Sequence, residues 1–438
     1  MRWLLNAAYC LALGAILPWW LYKMPQARRY RAGLRQRFGL APRLPRGPRR
    51  LWVHTVSVGE AAIPRNLAAR FRQRHPDWQL VFSTATDTGA DRLAELYPDC
   101  TSFYWPLDLS PCVEAAVERV QPDAVVLVEL ELWPNFQLAC LERRIPVCIV
   151  NGRINPGSAR LLRVLGRLQP AVWQAVRLCC ARSAGDAERF ARAGLTRERI
   201  VTTGSLKYDT LAVEPDAGRL ERLRRLFAIA PDAPVVVAGS THAGEEEVLY
   251  GICERLRAQR PRLRLVLVPR HIERAAAVAR RLAALGARVA RKTDLDAGRQ
   301  AVAPDAVIVV DTIGDLGTCW ALGSCAFVGR SLRRPGGGQN MMEPAALGRA
   351  VIVGPHTGNF RPEMQLLAAR AAVVVAEDET ALERELRRLL DDPQEAARLG
   401  RRARETVLES RGATEATLAG LESALAAAGL LEADARGR

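Results

Sequence analysis

The chain is 438 residues long, 49% of them hydrophobic, with 63 Lys and Arg against 47 Asp and Glu for a net charge of +16. That length and apolar content exclude a disordered chain and leave room for two or three domains with cores of their own. The positive surplus favours a polyanionic partner, whether nucleic acid, acidic lipid or a phosphorylated substrate. Few aromatics interleave with the arginines, however, and no nucleic-acid-binding signature is present. The ten cysteines are scattered without CxxC spacing, which suits reduced thiols more than a disulfide framework or a zinc site.

Residues 3–22 (WLLNAAYCLALGAILPWWLY) form an apolar run of about bilayer length, interrupted by Asn6 and Pro18. Trp19, Trp20 and Tyr22 stand at its far end, and Lys23, Arg28, Arg29, Arg31, Arg35 and Arg37 follow. Interfacial aromatics before a basic flank predict a membrane-anchor helix over residues 1–24, with the rest of the chain cytoplasmic. A shallow anchor bent at Pro18, or a buried helix of a soluble protein, is the alternative.

After a Pro-rich link at 41–48, short apolar runs alternate with helical periodicity. Strands are expected at 51–56, 79–83, 124–128, 146–150, 178–181 and 200–203. A second series follows at 235–238, 263–268, 306–310, 325–328 and 351–353. Such alternation predicts an α/β protein with parallel sheets, built as two Rossmann-like doubly wound domains facing a cleft. The charged helical stretch 216–227 reads as the linker. The expected divisions are 25–210, 211–425 and a tail at 426–438, with residues 377–429 helical.

The residues with chemistry follow strands. In an open α/β sheet, ligands bind outside the carboxyl ends of the strands. Ser57, Gly59 and Glu60 follow the first strand in VHTVSVGEA, so Glu60 is either an acid at a crevice mouth or a complement to a helix N-terminus. Glu129 and Glu131 follow AVVLV, two residues apart and therefore on one face. Two such carboxylates suit a cation or a polyol; the plainer reading makes one of them a surface residue and Trp133 part of the core. A helix is expected to begin near Pro134. Lys207, in GSLKYD, could neutralise phosphate or developing negative charge.

In the second series, 239–241 resembles a capped phosphate-type turn without a Walker or dinucleotide fingerprint. Arg270 and His271 follow a strand in LVLVPRHIER, and Arg is well suited to grip phosphate. The stretch 329–344, GRSLRRPGGGQNMMEP, sets three glycines before Asn340 and Glu343. Backbone amides there could face a phosphate while Glu343 holds a ribose diol; alternatively Asn340 and Glu343 form a capping box. Asp294 and Asp296 read as a solvated loop, and the five histidines show no HxxxH spacing, so no metal site is expected.

Taken together, HTVSVGE, ELELWPN, GSLKYD, VPRHIER, DTIGDL, GGGQNMMEPA and GPHTGNF occur in the order found in 3-deoxy-D-manno-octulosonic acid (Kdo) transferases. This resemblance, running to about residue 420, implies a GT-B glycosyltransferase on the cytoplasmic side of the inner membrane. It implies an acceptor-binding first domain and a CMP-sugar-binding second domain. Kdo would move from CMP-Kdo onto a glucosamine hydroxyl of the lipid A precursor (lipid IVA), with inversion and with neither cofactor nor catalytic metal. By matching motifs, Glu60 would be the proton acceptor, and Glu129 and Lys207 transition-state stabilisers. Pro269, Arg270, Ile313, Gly314, Asp315, Asn340, Met341, Met342 and Glu343 match CMP-binding segments. The chain departs from the family pattern at Leu130 (usually Thr), Asp315 (usually Glu), Gln339 (usually His), the extra Gly338 and the stretch NGRIN at 151–155. The resemblance leaves oligomeric state and the number of Kdo units open. A GT-B enzyme using another nucleotide sugar, or a non-catalytic anchored protein binding lipid phosphate, is the competing reading.

Overall fold

The computed structural model describes residues 2–23 and 33–432. The chain divides into two units. The first runs to Thr210 and takes up the chain again from Arg411; the second is Leu211–Ser410.

The first unit holds seven strands: β1 (Arg49–Thr55), β2 (Trp78–Thr84), β3 (Thr101–Tyr104), β4 (Ala124–Val128), β5 (Val147–Gly152), β6 (Val176–Ala181) and β7 (Ile200–Thr202). They form one parallel sheet in the order β3-β2-β1-β4-β5-β6-β7. The strand order reverses between β1 and β4. Every residue of β4 is buried, as a strand covered by helices on both faces requires. Trp52, Phe103, Trp105 and Phe136 pack on one face of the sheet. Phe82 and Tyr97 stack on the other. His54 is wholly buried on β1, stacked on Trp105, and burial pushes its pKa down to about 3.

The second unit repeats the plan with β8 (Val235–Thr241), β9 (Arg264–Pro269), β10 (Val289–Arg291), β11 (Val307–Val309), β12 (Cys325–Val328), β13 (Ala350–Val353) and β14 (Val374–Val375). Its parallel sheet runs β10-β11-β9-β8-β12-β13-β14 and reverses between β8 and β12. The sequence pattern gives no sign of β3, β10 or β14. All three are edge strands, two to four residues long, and too short to carry periodicity.

Four expectations are corrected. The helix at the amino end forms, over Arg2–Lys23, but no helix of the described residues is long and apolar enough to cross a membrane. Polar residues of this helix bond to residues of the same unit: Arg2, just before the apolar run, pairs with Glu114 and Glu142, and Asn6 within it bonds Ser110 and Asn135. The second unit ends at Ser410, not residue 425, and of the expected tail the described residues 426–432 follow on from the first unit's last helix, the remainder lying outside the described residues. The helix Ala413–Ala427 buries Leu418, Leu421 and Leu425 in the first unit's core. Residues 216–227 form the expected helix, Ala217–Leu226, N-capped by Asp216, but it lies within the second unit, with Leu223 buried, and is no free linker. Asp294 and Asp296 lie on a helix, Lys292–Asp296, whose buried Lys292 bonds Asp296 and Asp315, so the segment is not a solvated loop.

Candidate active site

The reversal between β1 and β4 places the ends of those two strands around one crevice. The chain leaves β1 into a single turn, Val58–Ala61, with Glu60 inside it. The carboxylate of Glu60 accepts from the Val56 N–H (2.9 Å) and the Ser57 hydroxyl (3.1 Å). It therefore folds back on its own turn, half-buried. Burial, opposed by the Val56 bond and reinforced by the charge of Glu129, raises its pKa above the ordinary value.

Glu129 leaves β4 with φ +64°, a left-handed conformation that costs a non-glycine residue of order 1 kcal/mol and persists only where the surroundings enforce it. Its N–H donates to the Val150 carbonyl (3.0 Å), and its side chain meets Lys207 Nζ at 2.9 Å. Lys207 sits on the short helix Leu206–Asp209 beyond β7. Asn151, itself at φ +52° on β5, accepts the Leu206 N–H (3.0 Å) and so fixes where that helix begins. Four segments distant in sequence thus bring Glu60, Glu129 and Lys207 to mutual electrostatic range, as the motifs suggested.

Glu131 is the residue that sequence reasoning undervalued. It is no free surface acid: Trp133, half-buried and packed against the core, donates its indole N–H to Glu131 (3.0 Å). Burial first, then the charges of Glu60 and Glu129, push its pKa up to about 7. The only sequence signal was the spacing of two acids after a buried strand. Among the described residues no group of His, Cys, Asp or Glu is arranged to hold a metal ion.

The second unit's reversal lies between β8 and β12. Arg270 and His271 follow β9 and are exposed. Among the described residues, no hydrogen bond or ion pair engages the guanidinium groups of Arg270, Arg330 or Arg334. Glu343 bonds the Asn340 side-chain amide (3.0 Å) and the Trp320 indole (3.4 Å); burial raises its pKa, with Arg270 pulling the other way. Asn340 caps the Met342 N–H (3.1 Å), but Glu343 reaches the Asn340 side chain rather than its backbone, so the pair is not a capping box. A Cβ on Gly337, at φ +125°, would lie 2.5 Å from Asn359, so the glycines let this loop pack on the GPHTGNF segment.

The residues expected at the nucleotide differ in what they expose. Met341 and Met342 are buried core side chains, so only their backbone is open to a ligand. Asp315 is buried: burial alone would raise its pKa, but the Thr312 hydroxyl, Lys292 and Arg219 outweigh it and hold the carboxyl below its usual range. Pro269 is likewise buried, whereas Ile313 is 89% exposed beside Gly314 at φ +88°. The turn 239–241 is no phosphate cradle, because acids fill the helix start behind it: Glu245 accepts the His242 N–H and Glu246 the Thr241 hydroxyl. Nor do the loop amides of 330–332 face outward, since all three donate to Glu245.

Two doubly wound parallel sheets, one with carboxylates at its crevice and the other with unpaired arginines, give the chain a GT-B-like α/β architecture. The UDP-GlcNAc 2-epimerase from Neisseria meningitidis shares the fold, with a TM-score of 0.58 at 14% identity over 85% of this chain and 99% of that one. A family model described as 3-Deoxy-D-manno-octulosonic-acid transferase (kdotransferase) matches residues 32–210, and one described as Glycosyl transferase-like matches 334–415. The 3-deoxy-D-manno-octulosonic acid transferase of Haemophilus influenzae is 33% identical over 89% of this chain and 91% of its own length. The corresponding transferase of Bordetella pertussis is 32% identical over 95% and 99%. The chain belongs to the Kdo transferase family and is a glycosyltransferase.

Proposed function

We propose that the chain moves Kdo from CMP-Kdo onto a glucosamine hydroxyl of the lipid A precursor lipid IVA, inverting the anomeric centre in one displacement. The observation that carries this reading is the grouping of Glu60, Glu129 and Lys207 at the reversal of the first sheet. Glu60 accepts the proton of the acceptor hydroxyl as its oxygen attacks the anomeric carbon and the bond to the CMP phosphate breaks. A carboxylate with a raised pKa lies closer to neutral pH and is the better base for it. Glu129 and Lys207, paired at 2.9 Å, offer opposite charges to the oxocarbenium character and the departing phosphate.

In the second unit, the free guanidinium of Arg270 meets the nucleotide phosphate, with Glu343 and the Asn340 turn beside it. The exposed turn of Ile313 and Gly314 and the backbone at Pro269, Met341 and Met342 line the same ligand. Asp315 supports that turn through Thr312 rather than touching CMP. The reaction in this reading needs no cofactor and no resident metal. We place both units on the cytoplasmic side of the inner membrane, where the net charge of +16 suits an anionic lipid surface and a phosphorylated acceptor. Incubation with CMP-Kdo and tetra-acylated lipid A precursor, read by mass spectrometry, tests the assignment. Product heavier by Kdo is expected; folded protein that yields none overturns it.

A further inference from the structure

Glu245 is 1% exposed, and its carboxylate accepts four backbone N–H bonds, two on each oxygen. His242 (2.9 Å) and Arg330 (2.8 Å) donate to Oε2; Ser331 (3.0 Å) and Leu332 (3.1 Å) donate to Oε1. None of the four comes from a charged side chain. The donors belong to the turn after β8 and the loop after β12, the two strands that flank the reversal of the second sheet. Successive N–H groups converging on one point make an anion site. Here the protein fills it with an anion of its own.

The order that Glu245 imposes travels along the loop. Arg330 is held at φ +56°, a conformation an arginine rarely adopts unaided. Its carbonyl accepts the Gly338 N–H (2.8 Å). The Ser331 carbonyl accepts the His356 N–H (2.9 Å), and the Ser331 hydroxyl accepts the Gly354 N–H (2.8 Å). His356 in turn accepts the Gly337 N–H (3.0 Å). Because these amides are engaged internally, a bound anion must be met by side chains the loop presents, Arg330 and Arg334 among them.

We propose that Glu245 is a positioning residue for donor binding: its carboxylate templates the loop 330–338 so that the loop's cationic side chains are ordered before the nucleotide arrives. This rests on the reading that the second unit binds CMP-Kdo. Preorganisation raises affinity by removing an ordering cost from the binding step.

The test compares the full chain with Glu245→Gln, which keeps the shape but turns one accepting oxygen into an N–H₂ group facing two donors. Amide exchange at 330–338 is expected to quicken while β8 and β12 stay protected. CMP affinity should fall by about tenfold or more, the scale of lost charge-assisted bonds. Donor KM should rise in step, with kcat at saturating donor within about threefold and acceptor KM unchanged. If Glu245→Gln does not fold, Glu245→Asp, which keeps the charge one methylene short, should move the same readouts in the same direction. A folded variant with unchanged CMP affinity, or with unaltered exchange at 330–338, overturns the proposal. Wild-type protein that binds no CMP overturns the functional reading itself, and this inference with it.

Discussion

The two sheets are near copies in topology and opposites in charge. At the reversal of the first, three carboxylates gather with one lysine among them, and burial raises the pKa of two. At the reversal of the second, the buried carboxylates Glu245 and Glu246 are saturated by N–H, hydroxyl and Arg274 donors, and arginines are left unpaired around them. The same backbone plan thus carries clustered carboxylates at one reversal and unpaired arginines at the other, the contrast on which the proposed division of roles rests. Fold sets where a ligand sits; the side chains left without partners decide which ligand.

The sharpest way to break this contrast is Glu60→Gln, which removes a base and keeps its shape. Turnover should drop by about 10²–10⁴-fold while CMP affinity, assigned to the other unit, stays at the wild-type value. Steady-state kinetics and calorimetry on one sample decide it; lost affinity would deny the division between units. Lys207→Met should come next, at about 10²-fold in turnover. Lys207 lowers the pKa of Glu60, so its loss should move the acid limb of the kcat/KM–pH profile upward. An unmoved limb would show that Lys207 does not act on the base.

Arg270→Ala and Glu343→Ala probe the other side. Each should weaken CMP binding by about 1–3 kcal/mol and leave kcat at saturating donor nearly unchanged. Titration calorimetry reads both; full affinity in Glu343→Ala would confine that residue to holding Asn340 and Trp320. The smallest effect is expected at Glu131. Its folded pKa, about 7, stands above the ordinary 4.5, so its contribution to stability is complete below about pH 4.5 and is lost as pH rises through 7. Glu131→Gln should flatten that decline, seen in urea denaturation at several pH values. A wild-type slope in the variant would place the titration elsewhere, with Glu60 the neighbouring candidate.

Much of this was legible in sequence because chemistry follows strands. The runs before Glu60 and Glu129 announce buried strands, and the order of motifs identifies the family. What stayed hidden depends on contacts between distant segments. No local pattern announces that Glu131 shares its surroundings with Glu60, or that Glu245 reaches across to residues 330–332. The left-handed turn at Glu129 has no glycine to advertise it. The apolar run at the amino end suggests a span, yet no helix of the described residues is long and apolar enough to cross a membrane, and no local pattern announces that Arg2 and Asn6 bond residues more than a hundred positions away.

The return of the helix Ala413–Ala427 makes the second unit an insertion within the first. Asp209, two residues beyond Lys207, receives the incoming chain through the Gly412 and Thr414 N–H groups. A ribosome building this protein therefore releases a complete second unit before it has supplied the last piece of the first. Until Leu418, Leu421 and Leu425 emerge, the sheet that carries Glu60 lacks part of one face. The unit that holds Glu60, begun first, is finished last, and a nonsense codon near residue 410 would spare the second unit while leaving Glu60 on an unfinished scaffold.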